Sequence, residues 1–401
     1  MLAFLLTLFI LPLGVMTYRY IQQATRAAVQ DARHKTSIGY ANGVVVDYMR
    51  QFSQDPYSGH YDTGTLNRSS LLYSNGFSTV TFIADRVKHS LYLDATGGVG
   101  SAAAPLAKRR VEAVIQFVSP LTKYGTMING PFTISADNVV YSGGMWINGT
   151  LTVSGSPVTW NGGPLIVNGS VAQGSGAVLN GSLYYGGASK GALTVNGGAY
   201  NFVPKNTWPS IDQDFFNANS GYLSTVSRSI VFNSTDSFTV VNGPSFLIPS
   251  VGAILFCSGC NFTIHGVVSG RVTVVAAGPA GSTTKGNITV DDNLIYVGAS
   301  SMSATSANSF AALATNKIYF KKSSGSMSVA GTYFVEQGTT NMALTGPGSS
   351  GARFQLNGAR SQGMTVTGFP GGTVLSYDPG LLVYPPPGLP ETPMLVNYRV
   401  R

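Results

Sequence analysis

Two close acidic pairs, one cysteine pair and four histidines are the residues whose types and spacing could do chemistry. Asp212 and Asp214 (IDQD) share a face if extended, and their oxygens suit Ca²⁺. Capping a turn or helix before Phe215 and Phe216 is the simpler role for them. Asp291 and Asp292 are neighbours, so a flat strand would send them to opposite faces, away from a common substrate. Asp236 and Glu336 stand alone. Cys257 and Cys260 enclose Ser258 and Gly259. A redox CxxC should open a helix, whereas this pair lies between the strand-like runs 253–256 and 262–264. A zinc site would need a fourth ligand, and only His265 is near. A disulfide closing a turn, made in an oxidising compartment, is the expectation. His34, His60, His89 and His265 form no HExxH pattern, and there is no G-x-S-x-G elbow, P-loop or dinucleotide fingerprint. No catalytic residue, metal site or cofactor is therefore assigned, and the chain is expected not to be an enzyme.

Asn-x-Ser/Thr acceptors occur at Asn67, Asn148, Asn168, Asn180, Asn233, Asn261 and Asn287. Each could carry N-linked sugar in a secreted context. A chain this rich in Asn, Ser and Thr also produces such triplets by chance.

The elements that must position these groups follow from composition. Only 10% of the 401 residues are charged, against about 25% in ordinary soluble domains. Gly accounts for 49 residues, and 44% are hydrophobic, which excludes wholesale disorder. Scarce Glu and Lys, with abundant Gly, Ser, Thr, Asn and Val, favour short strands and tight turns. The net charge of +8 is scattered, with small clusters at 108–110 and 321–322, so nucleic acid is not expected as a primary partner.

Residues 1–16 (MLAFLLTLFILPLGVM) carry no charge. As a helix they would span about 24 Å, slightly less than a bilayer core. Tyr18 and Arg19 follow as an interfacial anchor would. Arginines after the span would place the carboxyl side in the cytoplasm, whereas the cysteine pair and the Gly/Ser/Thr-rich body read as extracytoplasmic. A basic leader removed just before Met1 would resolve that conflict. Apolar residues then recur at helical spacing: Ile21, Ala24, Ala28 and Ala32, then Ile38, Ala41, Val45, Tyr48 or Met49, and Phe52. No proline intervenes, and Gly39 and Gly43 weaken the register without ending it. One helix of about 50 residues is expected, kinked or locally melted at Pro12.

An apolar leading segment continuing into an amphipathic helix resembles the type IV pilin family. In that family the segment is both membrane anchor and filament core, and the helix docks on a globular head. The resemblance covers residues 1–54. It implies a removed basic leader and a filament core of Leu2, Phe4, Leu5, Leu6, Leu8, Phe9, Ile10, Leu11, Pro12 and Leu13. Major pilins carry Glu at the fifth mature residue, where this chain has Leu5; in this it is similar to certain minor pilins.

Beyond the helix, 55–75 reads as a polar connection. Strand-like runs at 78–84 and 89–94, a Gly/Ala-rich loop at 96–107 and a further run at 110–118 suggest a small antiparallel sheet. From about Leu121 short apolar segments end repeatedly in Asn-Gly, at Asn129, Asn148, Asn168, Asn180, Asn196, Asn242 and Asn357. Asn and Gly tolerate sharp corners. Runs such as 164–167 and 271–277 are apolar on successive residues, unlike hairpins. A parallel β-solenoid fits, with a β-sandwich or barrel as the other candidate. The Asn spacing is irregular, 19, 13 and 7 from Asn129 to Asn168. The succession 270–278, 286–297, 310–320, Tyr377-Asp378-Pro379 and 385–388 is similar to bacterial pilin-like surface proteins with β-solenoid heads. The prolines at 385–387 should run extended.

The expected fold is thus α+β, mainly β. Residues 1–54 form the helix, 55–120 a pilin-like sheet and connector, and 121–401 a β-solenoid (β-helix) head with an extended carboxyl-terminal segment. The expected function is a structural subunit of an extracellular type IV pilus-like filament. Its partners are copies of itself, with the inner membrane before assembly and a surface or glycan ligand for the head. The alternatives are a minor, tip-located adhesin for surface glycans and an anchored carbohydrate-active β-helix enzyme.

Overall fold

The computed structural model describes residues 2–54, 64–69, 75–85, 90–135, 139–173, 175–203, 208–298, 307–337, 342–361, 364–367 and 370–401. For 2–14, 51–54, 64–69, 173, 364–367 and 392 it describes the backbone course alone. The protein is mainly β, with one long amino-terminal helix, an antiparallel sheet and large parallel sheets. It divides into two units, Met1–Phe117 with Pro393–Arg401, and Val118–Thr392.

In the first unit the periodic stretch forms a single helix, Leu2–Gln54, of 53 residues. It stays helical through Pro12, without the local melting that a proline there predicts. Its last third docks on an antiparallel sheet. Ala41, Val44, Val45 and Tyr48 pack with Val80, Leu91, Leu93, Ala95, Val111, Ala113 and Ile115. The sheet contains Gly64–Ser69, Gly76–Asp85, Ser90–Gly100, Pro105–Val118 and Thr392–Val400, in that order. Two expectations change here. The Gly-rich stretch after Ala95 is not all loop, because Gly97 and Gly98 lie within a strand. A Cβ at Gly97 would strike the Ser37 carbonyl oxygen and the Ala41 amide, so this strand needs Gly where the helix backbone presses closest. The carboxyl terminus does not end as an extended part of the head. Arg110 and Arg401 exchange reciprocal backbone bonds of 3.2 and 2.8 Å, which add the last strand to the first unit's sheet.

In the second unit nearly all pairing is parallel. One long ladder begins with Tyr222–Ser224 and runs through Ala253–Ser258, Arg271–Ala277, Ser309–Ala314, Met327–Val335 and Phe354–Ser361. There Arg360 and Ser361 pair with Thr126 and Met127. The ladder therefore continues into strands from earlier in the chain: Thr126–Ile128, Met145–Ile147, Leu165–Val167, Leu183–Tyr185 and Ala199–Tyr200. Spatial order thus departs from sequence order. The chain starts mid-ladder, advances to one end at Tyr200, crosses to the far end at Tyr222 and winds back to its start. Ten strand spacings of about 4.8 Å make a crossing of roughly 48 Å. The 21 residues between those strands reach that far at up to about 3.3 Å each.

The crossing explains why this ladder is apolar on successive residues. Arg271–Ala277 and Ser309–Ala314 are buried at every position. Their inward residues form the main core. Trp208 lies over the outward face, with ring centroids 5.6 Å from Trp146 and 5.7 Å from Phe334. Phe216, in the short helix Gln213–Asn219, packs on Phe256. A second strap follows from Tyr377: the Arg271 guanidinium donates to the Pro385 carbonyl at 2.7 Å, and the Thr273 hydroxyl to that of Pro387 at 2.5 Å. Parallel strands covered on both faces carry unbroken apolar runs. The companion ladder, Arg228–Asn233, Phe262–Val268, Asn287–Tyr296, Lys317–Lys321, Met342–Thr345 and Met364–Thr367, is open on one side. Its side chains accordingly alternate, as in Lys317–Lys321 with Ile318 and Phe320 buried.

Candidate assembly site

The carboxyl-terminal part of the long helix is buried against its own chain, and the described side chains of the part before it are exposed. From residue 15 to 32 every position is exposed. Met16 is 69% exposed, Tyr18 62%, Tyr20 73% and Ile21 56%. The periodic set Ile21, Ala24, Ala28 and Ala32 is exposed, whereas Ala41, Val45 and Tyr48 are buried. Ser37 and Val44 join the buried face, and the Ser37 hydroxyl satisfies itself on the His34 carbonyl at 2.8 Å. Tyr398 ties the last strand to the docked part by donating to Asn42 Oδ1 at 2.5 Å. At 1.5 Å per residue, the exposed stretch from residue 15 to 32 is about 27 Å of helix.

Charge on that stretch is light. Lys35 and Asp31 form an i,i+4 pair at 2.8 Å, and hydrogen bonding and attraction to Asp31 raise the ammonium pKa. Arg19, Arg26 and Arg33 are the other cations of residues 15–35. The expected core residues Leu2, Phe4, Leu5, Leu6, Leu8, Phe9, Ile10, Leu11, Pro12 and Leu13 belong to this helix, but their side chains lie outside the described residues. Among the described residues, no helix is long and apolar enough to cross a membrane.

The residues singled out for chemistry are dispersed. Asp212 caps the short helix by accepting from the Phe215 N–H at 3.0 Å. Asp291 and Asp292 are both exposed. The flat-strand expectation fails because the register slips between Ile264 and Gly266, setting 291–293 opposite the single residue His265. Asp291 meets His265 Nδ1 at 2.8 Å, and Asp292 meets Lys322 Nζ at 2.5 Å. The Lys322 hydrogen bond holds the Asp292 carboxyl below its ordinary pKa. Glu336 accepts from the Ile211 N–H at 3.1 Å, and burial pushes its pKa up. Among the described residues, no three His, Cys, Asp or Glu converge as a metal site would need. Cys257 and Cys260 form a disulfide with Cα atoms 5.5 Å apart, in the core at the corner between two strands.

The acceptor asparagines are built into the fold. Asn168 donates to Asn148, and Asn180 to Asn161, between successive turns of chain. Asn233 donates to Ser237 and Thr239, Asn261 to the Thr284 carbonyl and Asn287 to the Thr283 carbonyl. The side chain of Asn67 lies outside the described residues. Trp208 and Arg271, which hold the straps together with Glu336, carry no pattern that singles them out in the sequence.

No protein-family model matches the chain, and no curated protein matches it. A solved structure similar to it is the competence-associated pilin ComZ from Thermus thermophilus. Identity is 12%, the match covers 92% of this chain and 97% of that one, and the TM-score is 0.32. A likeness that slight carries neither fold nor function across.

Proposed function

We propose that this chain is a structural subunit of an extracellular, type IV pilus-like filament, not a catalyst. The observation that carries the reading is the helix. Residues 15–32, about 27 Å of it, are exposed, Met16, Tyr18, Tyr20, Ile21 and Val29 among them. Apolar surface kept out of water stabilises by about 25 cal/mol per Å². A helix with that much exposed apolar area gains most by packing against copies of itself. The leading run at 1–16 is more apolar still. Before assembly it would sit in the inner membrane; afterwards it would lie in the filament core. The parallel ladders of the second unit, read as coils of a β-solenoid closed by the Asn ladders, would then stand on the filament's outer surface.

The test is substitution in the leading run. Leu6→Asp or Leu8→Asp should abolish filaments in electron micrographs of sheared surface material, because a buried carboxylate in a dry core costs several kcal/mol. The second unit should keep its circular dichroism and protease resistance. Normal filaments from either variant would overturn the proposal.

A further inference from the structure

The open face of the companion ladder carries a groove of about 520 Å³. A row of outward side chains crosses it in register: Ser229 beside Thr263, Thr263 beside Thr289, and Thr289 beside Tyr319. Four strands at about 4.8 Å give that row a length of roughly 14 Å. Arg228 stands at one end and Lys321 at the other, and every other described lining residue is Ser, Thr, Asn or Tyr. No carboxylate is among the described lining residues. Lys321 Nζ rests 4.9 Å from the Tyr319 ring centroid, which holds the charge at the groove. Lys317 shares the outward face with Tyr319 and Lys321, alternating with buried Ile318 and Phe320. Asp291, farther along the strand that carries Thr289, is bonded to His265.

We propose that this groove binds a linear acidic polysaccharide, with Arg228 and Lys321 taking its carboxylate or sulfate groups and the hydroxyl row taking its sugar hydroxyls. The inference stands whether or not the long helix assembles as proposed. The cations lie at the two ends of the groove, and the wall between them is neutral and rich in donors and acceptors. That suits a polymer whose charges are spaced by uncharged hydroxyl-bearing units. A single-stranded nucleic acid would call for a track of cations along its closely spaced phosphates and several aromatic platforms for bases. This groove offers one aromatic ring, partly covered by Lys321.

The experiment measures affinity of the full chain in detergent for alginate, a linear polyuronate, with dextran and oligo(dT) in parallel. Alginate should bind at least ten times tighter than either. Arg228→Gln with Lys321→Gln should weaken alginate binding at least tenfold, and Thr263→Glu, which places a like charge in the groove, should do the same. Lys108→Gln with Arg109→Gln, in the other unit, should leave it unchanged. Alginate binding no tighter than dextran would overturn the proposal. So would binding that survives both groove variants, or oligo(dT) binding as tightly as alginate.

Discussion

Asn168 sits one turn of chain beyond Asn148 and donates its side-chain amide to Asn148 Oδ1 at 2.6 Å, across 20 residues of sequence. Asn148 repeats the bond to Asn129 at 2.8 Å, 19 residues back. Each amide both donates and accepts, so the row polarises along its length. Asn148→Ala removes one bond on each side. We expect it to destabilise the second unit by about 1 kcal/mol, since exposed side-chain hydrogen bonds are individually modest. Asn242→Ala probes a different role. Asn242 has φ 59° in the turn that returns Ser245–Leu247 against Ser237–Val240. There the cost is backbone strain, with no ladder broken. Urea denaturation of both variants separates the two roles by adding Asn129→Ala to each: losses should be sub-additive with Asn148→Ala and additive with Asn242→Ala.

These asparagines also show how far the sequence could be read. The spacing of 19, 13 and 7 looked degenerate because two rows overlap in it. Asn129, Asn148 and Asn168 form one, at steps of 19 and 20. Asn161, Asn180 and Asn196 form the other, at 19 and 16. Read separately, they give the length of each turn of chain. Helix extent, the cysteine bond and the Asp212 cap were legible because each is set by neighbours in sequence. The winding order was not. Nothing local at Arg360 announces pairing with Thr126, or at Trp208 a place beside Trp146. The bulge at 291–293 was equally hidden, since it depends on a partner strand far away in sequence.

Gly97 is where helix and sheet press closest. A methyl group there would meet the Ser37 carbonyl and the Ala41 amide, both helix backbone and neither able to rotate aside. Gly97→Ala should destabilise the first unit by about 2 kcal/mol, in the range of core overpacking. Loosening of the docked helix should appear as faster amide exchange at Ala41, Val44 and Val45. Unchanged exchange would mean that the helix shifts without cost.

The Cys257–Cys260 bond spans a sequence separation of only three, so its entropic effect on the unfolded chain is small. The chain-entropy relation gives about 2 kcal/mol for so short a loop. Cys257→Ala with Cys260→Ala should lower the second unit's stability by about that amount, with a small added loss because both residues are buried. Reductant should destabilise the parent protein similarly and leave the double variant unaffected. A parent protein indifferent to reductant would show that the bond adds nothing.

Glu336 joins the crossing strap to the long ladder twice. Its carboxylate accepts from the Ile211 N–H at 3.1 Å, and its carbonyl from Trp208 Nε1 at 3.3 Å. Burial raises the carboxyl pKa, and the Ile211 N–H opposes that in part. A carboxyl whose folded pKa exceeds its unfolded value binds more protons when folded. Stability must then fall as pH rises from the unfolded pKa, about 4.3, to the raised folded value, and level off above it. Glu336→Gln keeps an oxygen acceptor for Ile211 and removes the titration. The two proteins should differ least below about pH 4, with the variant gaining on the parent through the window above. Asp378 and Glu391 are also raised by burial, but they are common to both proteins and cancel in the difference. Urea midpoints measured from about pH 4 to 8, spanning that window, provide the test. Parallel curves would show that the Glu336 carboxyl titrates alike in the folded and unfolded chain. Glu336→Ala, which removes the acceptor as well, should instead cost stability at every pH by stranding the Ile211 N–H.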